Sequence, residues 1–451
     1  MDVANDTFSL LTRPRFLHAR KITFRSQSLD RAVVLPVINE HGNALGITRS
    51  MTAVTSLSRT EQRCDRRRIL FLVRRLDGGG AERQLLLLAG ELQKREYDVT
   101  LAAYYSGGVY DQYVAETGVR FVCLNKGGLR RNVRFFRRAL RLVQALDPDV
   151  IHGYMDTGNI VASALKPFAR RSLIVWGVRV SELDLSYYDV AGRLLSHLTR
   201  LVSGSADLII CNSRSGANDA IRAGYPRGKI AVVPNGIDVH RFSPAPERAK
   251  KLRLEWGVAK NEFLIGLVGR LHPMKGHATF IAAAKILSER RNDVRFVCLG
   301  DGVEPHRSKI LDLLASAGLG DRLLVRSFSH EINAVYTALD VSTSSSLFGE
   351  GFSNSIAESM ACGTPCVVTD VGDSRLIVSG LGVVVSPQDP VELAAGWEKV
   401  LSRTGPSLST SCRERIARTF TVDNLTDATI QALRLARLPD EPTAVSEARR
   451  G

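Results

Sequence analysis

Short apolar runs alternate with longer amphipathic stretches along most of this chain, and the alternation occurs in two successive series. The first series starts at Ile69–Val73 and the second, after Pro234–Asp238, at Phe263–Val268. Strands alternating with helices are typical of a parallel, doubly wound sheet. The sequence therefore predicts an α/β protein with two Rossmann-like domains that face each other across a cleft. The other predicted strands are Val99–Ala103, Val119–Leu124, Val150–His152, Leu173–Trp176, Leu208–Cys211, Val294–Leu299, Leu323–Val325, Val341–Thr343 and Pro365–Thr369.

The predicted domain boundaries follow these two series. Residues 69–240 form the N-terminal domain and residues 241–420 the C-terminal domain, with a connecting loop near 235–262. A last helix, Phe420–Ala436, is expected to pack back toward the N-terminal domain within 421–437. Residues 1–68 show no sustained period and are predicted to be a poorly structured extension, and 438–451 a disordered tail. An alternative is that Met51 is the true start and that the preceding stretch has no function.

Composition indicates a globular protein of a reducing compartment. Hydrophobic residues make up 44% and charged residues 24% of the chain, and no apolar run approaches the roughly 18 residues that span a bilayer. The basic N-terminus lacks the apolar segment of a secretory signal. The seven cysteines have neither disulfide-framework nor zinc-site spacing, so we expect buried thiols and a cytoplasmic location.

The positive charge is concentrated in the N-terminal half. Residues 69–235 hold 23 Lys and Arg against 15 Asp and Glu, whereas residues 236–451 hold 26 against 25. This asymmetry predicts an anionic partner for the N-terminal domain. A nucleic acid is one candidate at a pI of about 9.7. Aromatic residues total only 6% and are not interleaved with the basic ones, which argues against that class.

The densest chemical signal is the segment 348–365. A helix is predicted from near Ser353 to Gly363, so that Glu350 precedes the helix and Glu358 lies within it. The free N–H groups near Asn354 and Ser355 suit an anion, and the two acids could accept hydrogen bonds from sugar hydroxyls. The alternative is a capping box of Ser355 and Glu358, with Glu350 an ordinary loop acid.

The segment 267–276 carries two cations at the end of a predicted strand. Arg270 and Lys275 project from a glycine turn at the carboxyl edge of the sheet. Fixed cations there can neutralise a diphosphate leaving group, with charge-assisted hydrogen bonds contributing about 1.5–3 kcal/mol each. The alternative is two solvated surface cations.

Gly78–Gly80 lie between a strand and a helix, where glycine lets backbone approach a phosphate closely. Their spacing fits neither a dinucleotide fingerprint nor a P-loop. Asp147–Asp149 could be an acidic metal-binding pair, but Asp and Pro between a helix and a strand favour a turn. No metal site is therefore expected.

In their order along the chain, these segments resemble the family 4 retaining glycosyltransferases, also called group 1, which have the GT-B fold. The resemblance runs from about Ile69 to Ala436, and Glu350 and Glu358 stand at the two ends of the family's E-x7-E motif. Four other segments match the family: Gly79–Glu82, Pro234–Asp238, Gly269–Gly276 and Gly300–Gly302. Two more, Trp176–Arg179 and Cys211–Ser213, are similar to segments of its bacterial cell-surface polysaccharide members.

The resemblance implies a role for each site residue. Glu358 holds the nucleotide ribose, Glu350 contacts donor-sugar hydroxyls, and Arg270 and Lys275 hold the diphosphate. It also implies metal-independent transfer without a cofactor, by front-face attack that retains the anomeric configuration. The further residues expected around the donor are Gly79, Gly80, Asn354, Ser355, Asp373 and Ser374.

Two segments depart from the family pattern. Family members often carry a histidine two places after the position that His152 occupies, and Tyr154 stands there instead. His152 is a further residue expected at the donor site. The segment Val378–Gly382 is shortened and lacks an aspartate often found there, which affects loop shape more than chemistry.

The helix predicted at Arg130–Val143 is basic and amphipathic. Its arginines at 134, 137, 138 and 141 fall on one face. Such a helix can lie on an anionic bilayer beside a lipid-linked acceptor, on the inner face of the cytoplasmic membrane. The alternative is a normal Rossmann helix with solvated arginines.

The predicted activity is transfer of a hexosyl unit from a nucleotide-diphosphate sugar to a saccharide acceptor, expected to be lipid-linked, in the synthesis of surface polysaccharide such as lipopolysaccharide. A UDP-sugar is favoured as donor and GDP-mannose remains open. The alternatives are a nucleotide-sugar epimerase of the same architecture and a non-catalytic sugar-nucleotide-binding protein.

Overall fold

A computed structural model describes residues 67–127, 129–179, 198–327 and 329–436. The predicted extension, apart from its last two residues, and the predicted tail 438–451 lie outside the described residues. The two predicted domains each contain one parallel sheet. The N-terminal and C-terminal domains are named below by these sheets.

The sheet of the N-terminal domain has the strand order β3-β2-β1-β4-β5-β6-β7. Apolar side chains cover both of its faces and form two separate clusters, so the central strands are buried on both sides. Its strands are β1 Arg68–Val73, β2 Asp98–Ala103, β3 Arg120–Cys123, β4 Val150–Tyr154, β5 Leu173–Val178, β6 Leu208–Cys211 and β7 Ile230–Val232. Its helices are α1 Gly80–Lys94, α2 Asp111–Val114, α3 Leu129–Leu146, α4 Met155–Leu165 and α5 Arg214–Arg222.

The sheet of the C-terminal domain has the order β10-β9-β8-β11-β12-β13 and is likewise covered on both faces. Its strands are β8 Phe263–Val268, β9 Val294–Leu299, β10 Leu323–Arg326, β11 Val341–Ser344, β12 Cys366–Thr369 and β13 Val383–Val385. Its helices are α6 Pro246–Glu255, α7 His277–Arg290, α8 His306–Ala315, α9 Ile332–Ala338, α10 Asn354–Ala361, α11 Ser374–Val378, α12 Pro390–Leu401 and α13 Pro406–Thr419; the last described helix is α14 Val422–Leu435.

The chain passes between the two domains twice, and the two passages touch. The amide of Ile237 donates to the carbonyl of Phe420 at 2.7 Å, and Ile237 pairs with Thr421 in an isolated parallel bridge. A Cβ on Gly236 would lie 2.8 Å from the Thr421 carbonyl oxygen, so only glycine fits there without a shift. We call this double crossing, formed by residues 235–237 and 420–421, the hinge.

Helix α14 returns the chain to the N-terminal domain. Leu425 and Leu433 are buried in the same apolar cluster as α1, and Arg95 at the end of α1 pairs with Asp423 and Asp427. The last helix therefore packs on the domain that the chain left after β7, which ends at Val232.

The predicted α/β architecture is confirmed, and the local errors have identifiable causes. The connection near 235–262, expected to be a loop, contains α6, whose one buried residue is Ala249 and whose amphipathic signal is therefore weak. Strands β7 and β13 were not predicted; each is only three residues long at a sheet edge. The last helix begins at Val422 rather than Phe420, because Phe420 packs in the core of the C-terminal domain.

Candidate active site

A buried ion pair lies at the carboxyl edge of the C-terminal sheet. Lys275 ends a short 3-10 turn, Pro273–Lys275, after β8, and Glu350 lies in the loop after β11. The Lys275 ammonium donates to Oε1 of Glu350, and the Ser346 hydroxyl donates to the same oxygen at 2.8 Å. The side chains of Lys275 and Glu350 are 16% and 9% exposed. Two sequence-predicted site residues thus meet, although 75 positions separate them.

The turn that carries Lys275 is held tightly against the end of β11. Gly276 has a φ of 65°, and a Cβ there would lie 1.9 Å from the carbonyl oxygen of Ser345. The Ser345 hydroxyl donates to the carbonyl of Lys275 at 2.9 Å. Position 276 therefore requires glycine, and the ammonium of Lys275 is fixed before any ligand binds.

The electrostatics of this pair keep Glu350 ionised. Burial raises the pKa of Glu350, but the charge of Lys275, its hydrogen bond and that of Ser346 outweigh burial, so the net pKa lies below the usual value. Arg270 also lowers it, although Arg270 itself is exposed. The interpretations of Glu350 as an ordinary loop acid and of Lys275 as a solvated cation are wrong, because both side chains are buried against each other.

Glu358 lies inside α10 and joins the two domains. Its Oε2 accepts a hydrogen bond from the Tyr336 hydroxyl at 3.1 Å, and its Oε1 accepts one from Arg83 of α1. The capping-box alternative is wrong: Ser353 is the N-cap of α10, and its hydroxyl lies 3.3 Å from that of Ser355.

Arg83 and Tyr336 are site residues that sequence reasoning missed. Arg83 stands three residues after Gly80, so its place on the first turn of α1 was readable, but its partner is 275 positions away. Its guanidinium also lies 5.6 Å from the ring centroid of Phe242. Burial lowers the pKa of Arg83. Tyr336 was missed because no local sequence pattern indicates that a tyrosine will donate to a distant carboxylate.

The glycine-rich segment brings the N-terminal domain onto the start of α10. Gly79 is the N-cap of α1, and a Cβ on Gly80 would lie 2.8 Å from Nδ2 of Asn354. Asn235, in the hinge, donates to Oδ1 of Asn354 at 2.9 Å. Gly80 and Asn354 are thus brought together, as a phosphate site between them requires.

Asp373 also contacts the opposite domain. Its carboxylate accepts hydrogen bonds from the backbone amides of Arg214 and Ser215 at 2.8 and 3.0 Å, at the start of α5. The Ser374 hydroxyl donates to the carbonyl of Val371 at 2.7 Å. Both residues lie beside the Glu350 loop, since the Asp373 amide donates to the carbonyl of Gly351 at 2.9 Å. The Asp373 carboxylate is therefore hydrogen-bonded to the backbone of the N-terminal domain.

His152 is buried in the N-terminal domain, on β4. Its ring lies between those of Phe71 and Tyr154, at centroid distances of 5.2 and 5.6 Å, and its Nε2 has no hydrogen-bond partner. Burial, and then the charge of Arg179, hold its pKa well below the usual value. A neutral imidazole is expected, and its contact with a donor sugar stays a prediction.

Asp147 and Asp149 form the predicted turn. Asp147 has a φ of 41° and pairs with Arg68, and Oδ2 of Asp149 accepts from the Arg68 amide at 2.8 Å. Across the described ranges, no group of three or more His, Cys, Asp or Glu side chains is placed to hold a metal ion.

In α3, the predicted basic helix, Phe135, Ala139 and Val143 are buried, as the Rossmann-helix alternative expects. The arginines at 134, 137, 138 and 141 are exposed. The side chains of 129–131 lie outside the described residues. Of the helices that the structure describes, none is long and apolar enough to cross a membrane.

Two regions of the chain match the descriptions of known protein families. The family description "Glycosyltransferase Family 4" matches residues 78–241, and "Glycosyl transferases group 1" matches residues 262–403. The two matches cover every candidate site residue named above and all the strands except β1, which precedes residue 78. The chain belongs to the family 4, group 1 glycosyltransferases.

Relatives of this glycosyltransferase span nearly its whole described length. EpsF of Bacillus subtilis, named provisionally as a glycosyltransferase, is 24% identical over 349 residues, which is 75% of this chain and 87% of EpsF. An Escherichia coli enzyme is 24% identical over 340 residues, 73% of this chain and 87% of its own. That enzyme is named UDP-Gal:alpha-D-GlcNAc-diphosphoundecaprenol alpha-1,3-galactosyltransferase.

Solved structures confirm the fold of the glycosyltransferase. HepE of Anabaena, crystallised with UDP, superposes with a TM-score of 0.72 at 22% identity, covering 82% of this chain and all of HepE (100%). HepE was also crystallised with UDP-glucose. The predicted GT-B architecture, with two Rossmann-like domains, is therefore confirmed.

Proposed function

We propose that this glycosyltransferase transfers a hexosyl unit from a UDP-sugar to a lipid-linked saccharide during synthesis of a surface polysaccharide, with retention of the anomeric configuration. The observation that carries the proposal is the buried pair Lys275–Glu350 at one sheet edge. Glu358 lies in the helix after the same loop. A fixed cation paired with one carboxylate, with a second carboxylate in the helix that follows, suits a sugar diphosphate, which presents hydroxyls on both sides of its charge.

On the donor side, each group has one task. Glu358 accepts hydrogen bonds from the ribose hydroxyls, and Lys275 and Arg270 bind the diphosphate, which Gly79 and Gly80 approach from the N-terminal domain. HepE, of the same fold, binds UDP and UDP-glucose, which supports uracil as the base. Selective binding of GDP-mannose instead would correct the base and leave the site as proposed.

The proposed reaction proceeds on one face of the donor sugar. The bond between the anomeric carbon and the leaving diphosphate oxygen breaks, and the diphosphate departs with the electron pair. The acceptor hydroxyl forms the new bond from the same face and passes its proton to the departing phosphate oxygen. Glu350, held by Lys275 and Ser346, binds sugar hydroxyls and is not the nucleophile. Arg270 and Lys275 supply the positive charge, so transfer is proposed to be metal-independent.

The proposed acceptor and the proposed cellular location are supported by the charge distribution along the chain and by the name of one relative. The Escherichia coli relative is named for a diphosphoundecaprenol-linked acceptor, and residues 69–235 of this chain carry the basic excess, 23 against 15. We propose that the enzyme works at the inner face of the cytoplasmic membrane. Helix α3 supports this location because exposed arginines share it with Val133, whose side chain is 56% exposed.

A thermal-shift panel tests the donor. A saturating nucleotide stabilises the protein by RT ln(1 + [L]/Kd), and we expect UDP and a UDP-sugar to raise Tm more than GDP, ADP and their sugars. Proton NMR of the product with the preferred sugar then reads the anomeric configuration. An inverted product contradicts the retaining mechanism, and loss of turnover in EDTA contradicts metal independence. An altered sugar formed without any acceptor favours an epimerase, and binding without turnover a non-catalytic protein.

Vesicle co-sedimentation tests the membrane proposal. We expect binding to anionic vesicles that weakens in salt, and loss of binding when Arg134, Arg137 and Arg141 are changed to glutamate. The matched control changes Arg290, Arg307 and Arg418 of the C-terminal domain to glutamate and should still bind. Equal sedimentation of both triple variants contradicts a role for α3.

A further inference from the structure

Three neighbouring strands of the N-terminal sheet end at one patch beside the donor site. Strand β4 ends at Tyr154, and Arg179 and Asn212 follow β5 and β6 directly. Nδ2 of Asn212 donates to the carbonyl of Arg179 at 3.3 Å. The carboxyl ends of such strands are where open α/β sheets bind ligands.

Arg179 is a buried cation, and among the described residues no carboxylate pairs with it. Its residue is 7% exposed, and its guanidinium lies 4.3 Å from the centroid of the Tyr154 ring. Both Nε and Nη1 are buried without a hydrogen-bond partner, and within the described ranges no carboxylate forms a salt bridge with it. A buried charge without a partner is costly, so such a group indicates a bound anion in the working complex.

Two other residues at the ends of these strands also have a buried polar atom without a hydrogen-bond partner. His152, whose pKa the charge of Arg179 helps to lower, has an unpartnered Nε2, and Asn212 has an unpartnered Oδ1. The guanidinium can donate hydrogen bonds to an anion, whereas the amide oxygen of Asn212 can accept a hydrogen bond from a hydroxyl. The patch therefore combines an anion site with a site for a sugar hydroxyl.

The patch contacts the loop that carries Glu350. A Cβ on Gly351, the residue after Glu350, would lie 2.5 Å from Oδ1 of Asn212. Asn212 thus meets the Glu350 loop from the opposite domain, where an acceptor must enter. Arg270 and Lys275 belong to the other sheet and to the donor diphosphate, so Arg179 is a separate cation.

We propose that Arg179 binds a phosphate of the acceptor while Asn212 accepts a hydrogen bond from a hydroxyl of the acceptor sugar. The acceptor accordingly carries a phosphate close to the sugar that receives the hexose. This assignment deepens the function proposed above and rests on it. A lipid diphosphate saccharide and a free sugar phosphate share this chemistry.

The test titrates inorganic pyrophosphate into the full-length protein saturated with UDP, by calorimetry. We expect Arg179→Gln to weaken pyrophosphate binding at least about tenfold and Arg179→Lys to weaken it less, because lysine keeps the charge but loses the planar fork. UDP affinity should stay within about twofold in both. Arg171→Gln, which changes an exposed arginine of the same domain, is the matched control. Equal pyrophosphate binding by Arg179→Gln and wild type, or none by wild type, overturns the proposal.

Thermal unfolding separates a binding role from a structural one. Because Arg179 is buried and no carboxylate in the described part of the chain pairs with it, Arg179→Met should melt at the same temperature as wild type or higher without ligand. The variant should also lose the stabilisation by pyrophosphate. A lower Tm without ligand, with pyrophosphate stabilisation kept, overturns the proposal. Farnesyl diphosphate and glucose 1-phosphate distinguish the sources: tighter binding of the first indicates a lipid diphosphate and of the second a free sugar phosphate. Binding of neither overturns the assignment.

Failure of the proposed donor can be distinguished from failure of the proposed acceptor site. A wild-type protein that does not bind UDP contradicts the proposed donor, not the acceptor site. The pyrophosphate titration then uses Arg270→Ala as the background, in which the donor diphosphate site is weakened. Adding Arg179→Gln must still reduce pyrophosphate binding about tenfold, and an unchanged affinity overturns the acceptor assignment.

Discussion

Arg83 of the N-terminal domain pairs with Glu358 of the C-terminal domain through Oε1, the oxygen opposite the one that accepts from Tyr336. The side chain of Glu358 is only 5% exposed and that of Arg83 22%. The carboxylate proposed to hold the ribose is therefore also a contact between the domains. On the proposed assignment, nucleotide binding and the domain contact compete for one oxygen.

Removing the arginine tests this competition. Arg83→Met leaves Oε1 of Glu358 available to the ribose, so we expect UDP to bind several-fold more tightly by calorimetry. The ligand-free variant should lose about 3 kcal/mol of stability, since one member of a buried pair is gone. Arg222→Met is the control: its exposed pair with Asp219 should contribute less than about 1 kcal/mol. Weaker UDP binding by Arg83→Met contradicts the competition.

Removing the carboxylate should separate binding from stability. Glu358→Ala is expected to abolish UDP binding and also to lower Tm, because Arg83 is left buried without its counter-ion. The double variant Arg83→Met, Glu358→Gln should recover much of the Tm but no UDP binding. Normal turnover by Glu358→Ala contradicts the site assignment.

Lys275→Met should change both catalysis and the pH dependence of stability. We expect kcat to fall about 10²- to 10³-fold, because a fixed charge at the leaving group is lost. In the wild type, the lowered pKa of Glu350 gives stability that is present above pH 4.5, the ordinary value, and lost as pH falls through the lowered pKa. Without Lys275, burial dominates and raises this pKa, so ionisation costs stability as pH rises.

The Tm gap between wild type and Lys275→Met should therefore be wider at pH 8 than at pH 4.5. Lys275→Arg, which keeps the charge, is the control and should show a nearly constant gap over this range. A gap for Lys275→Met that does not change with pH contradicts an ionised Glu350 held by Lys275.

The close contact at the hinge predicts that Gly236 cannot be replaced without a loss of stability. In Gly236→Ala, the new Cβ meets the backbone of Thr421 and Val422 at 2.8 Å, so we expect a loss of about 1–3 kcal/mol, seen as a lower Tm. Gly228→Ala is the matched control, since a Cβ there has nothing within 4 Å. Equal Tm values for the two variants contradict the close crossing of the chain.

Asp373→Asn tests the second contact between the domains. The carboxylate receives two amide hydrogen bonds from the start of α5, where a negative charge is also favoured by the helix dipole. We expect reduced kcat, with a larger radius of gyration by X-ray scattering in the presence of UDP. Asp370→Asn, which disrupts only the exposed pair with Arg375, should behave as wild type. Unchanged scattering and kcat for Asp373→Asn contradict a closing role.

The local parts of the site were readable in the sequence because they depend on neighbours in the chain. The start of α10 at Asn354 and its end before Gly363, whose φ is 86°, follow from capping and glycine preferences. The turn at Gly276 follows in the same way. Edge strands β7 and β13 and the helix α6 gave weak patterns, because few of their side chains are fully buried.

By itself, the sequence determined the two doubly wound sheets and the motif positions, since periodicity and turn residues act over a few positions. Only the tertiary structure decided the partners: Lys275 with Glu350, Arg83 with Glu358, Asp373 with α5, and Arg179 with no counter-ion in the described chain. These relationships join residues up to 275 positions apart. Lys275 meets Glu350 because β8 and β11 are neighbours in one sheet. The contacts between the domains arise because two separate sheets present their carboxyl edges to each other, and that placement depends on a hinge where Gly236 meets Thr421.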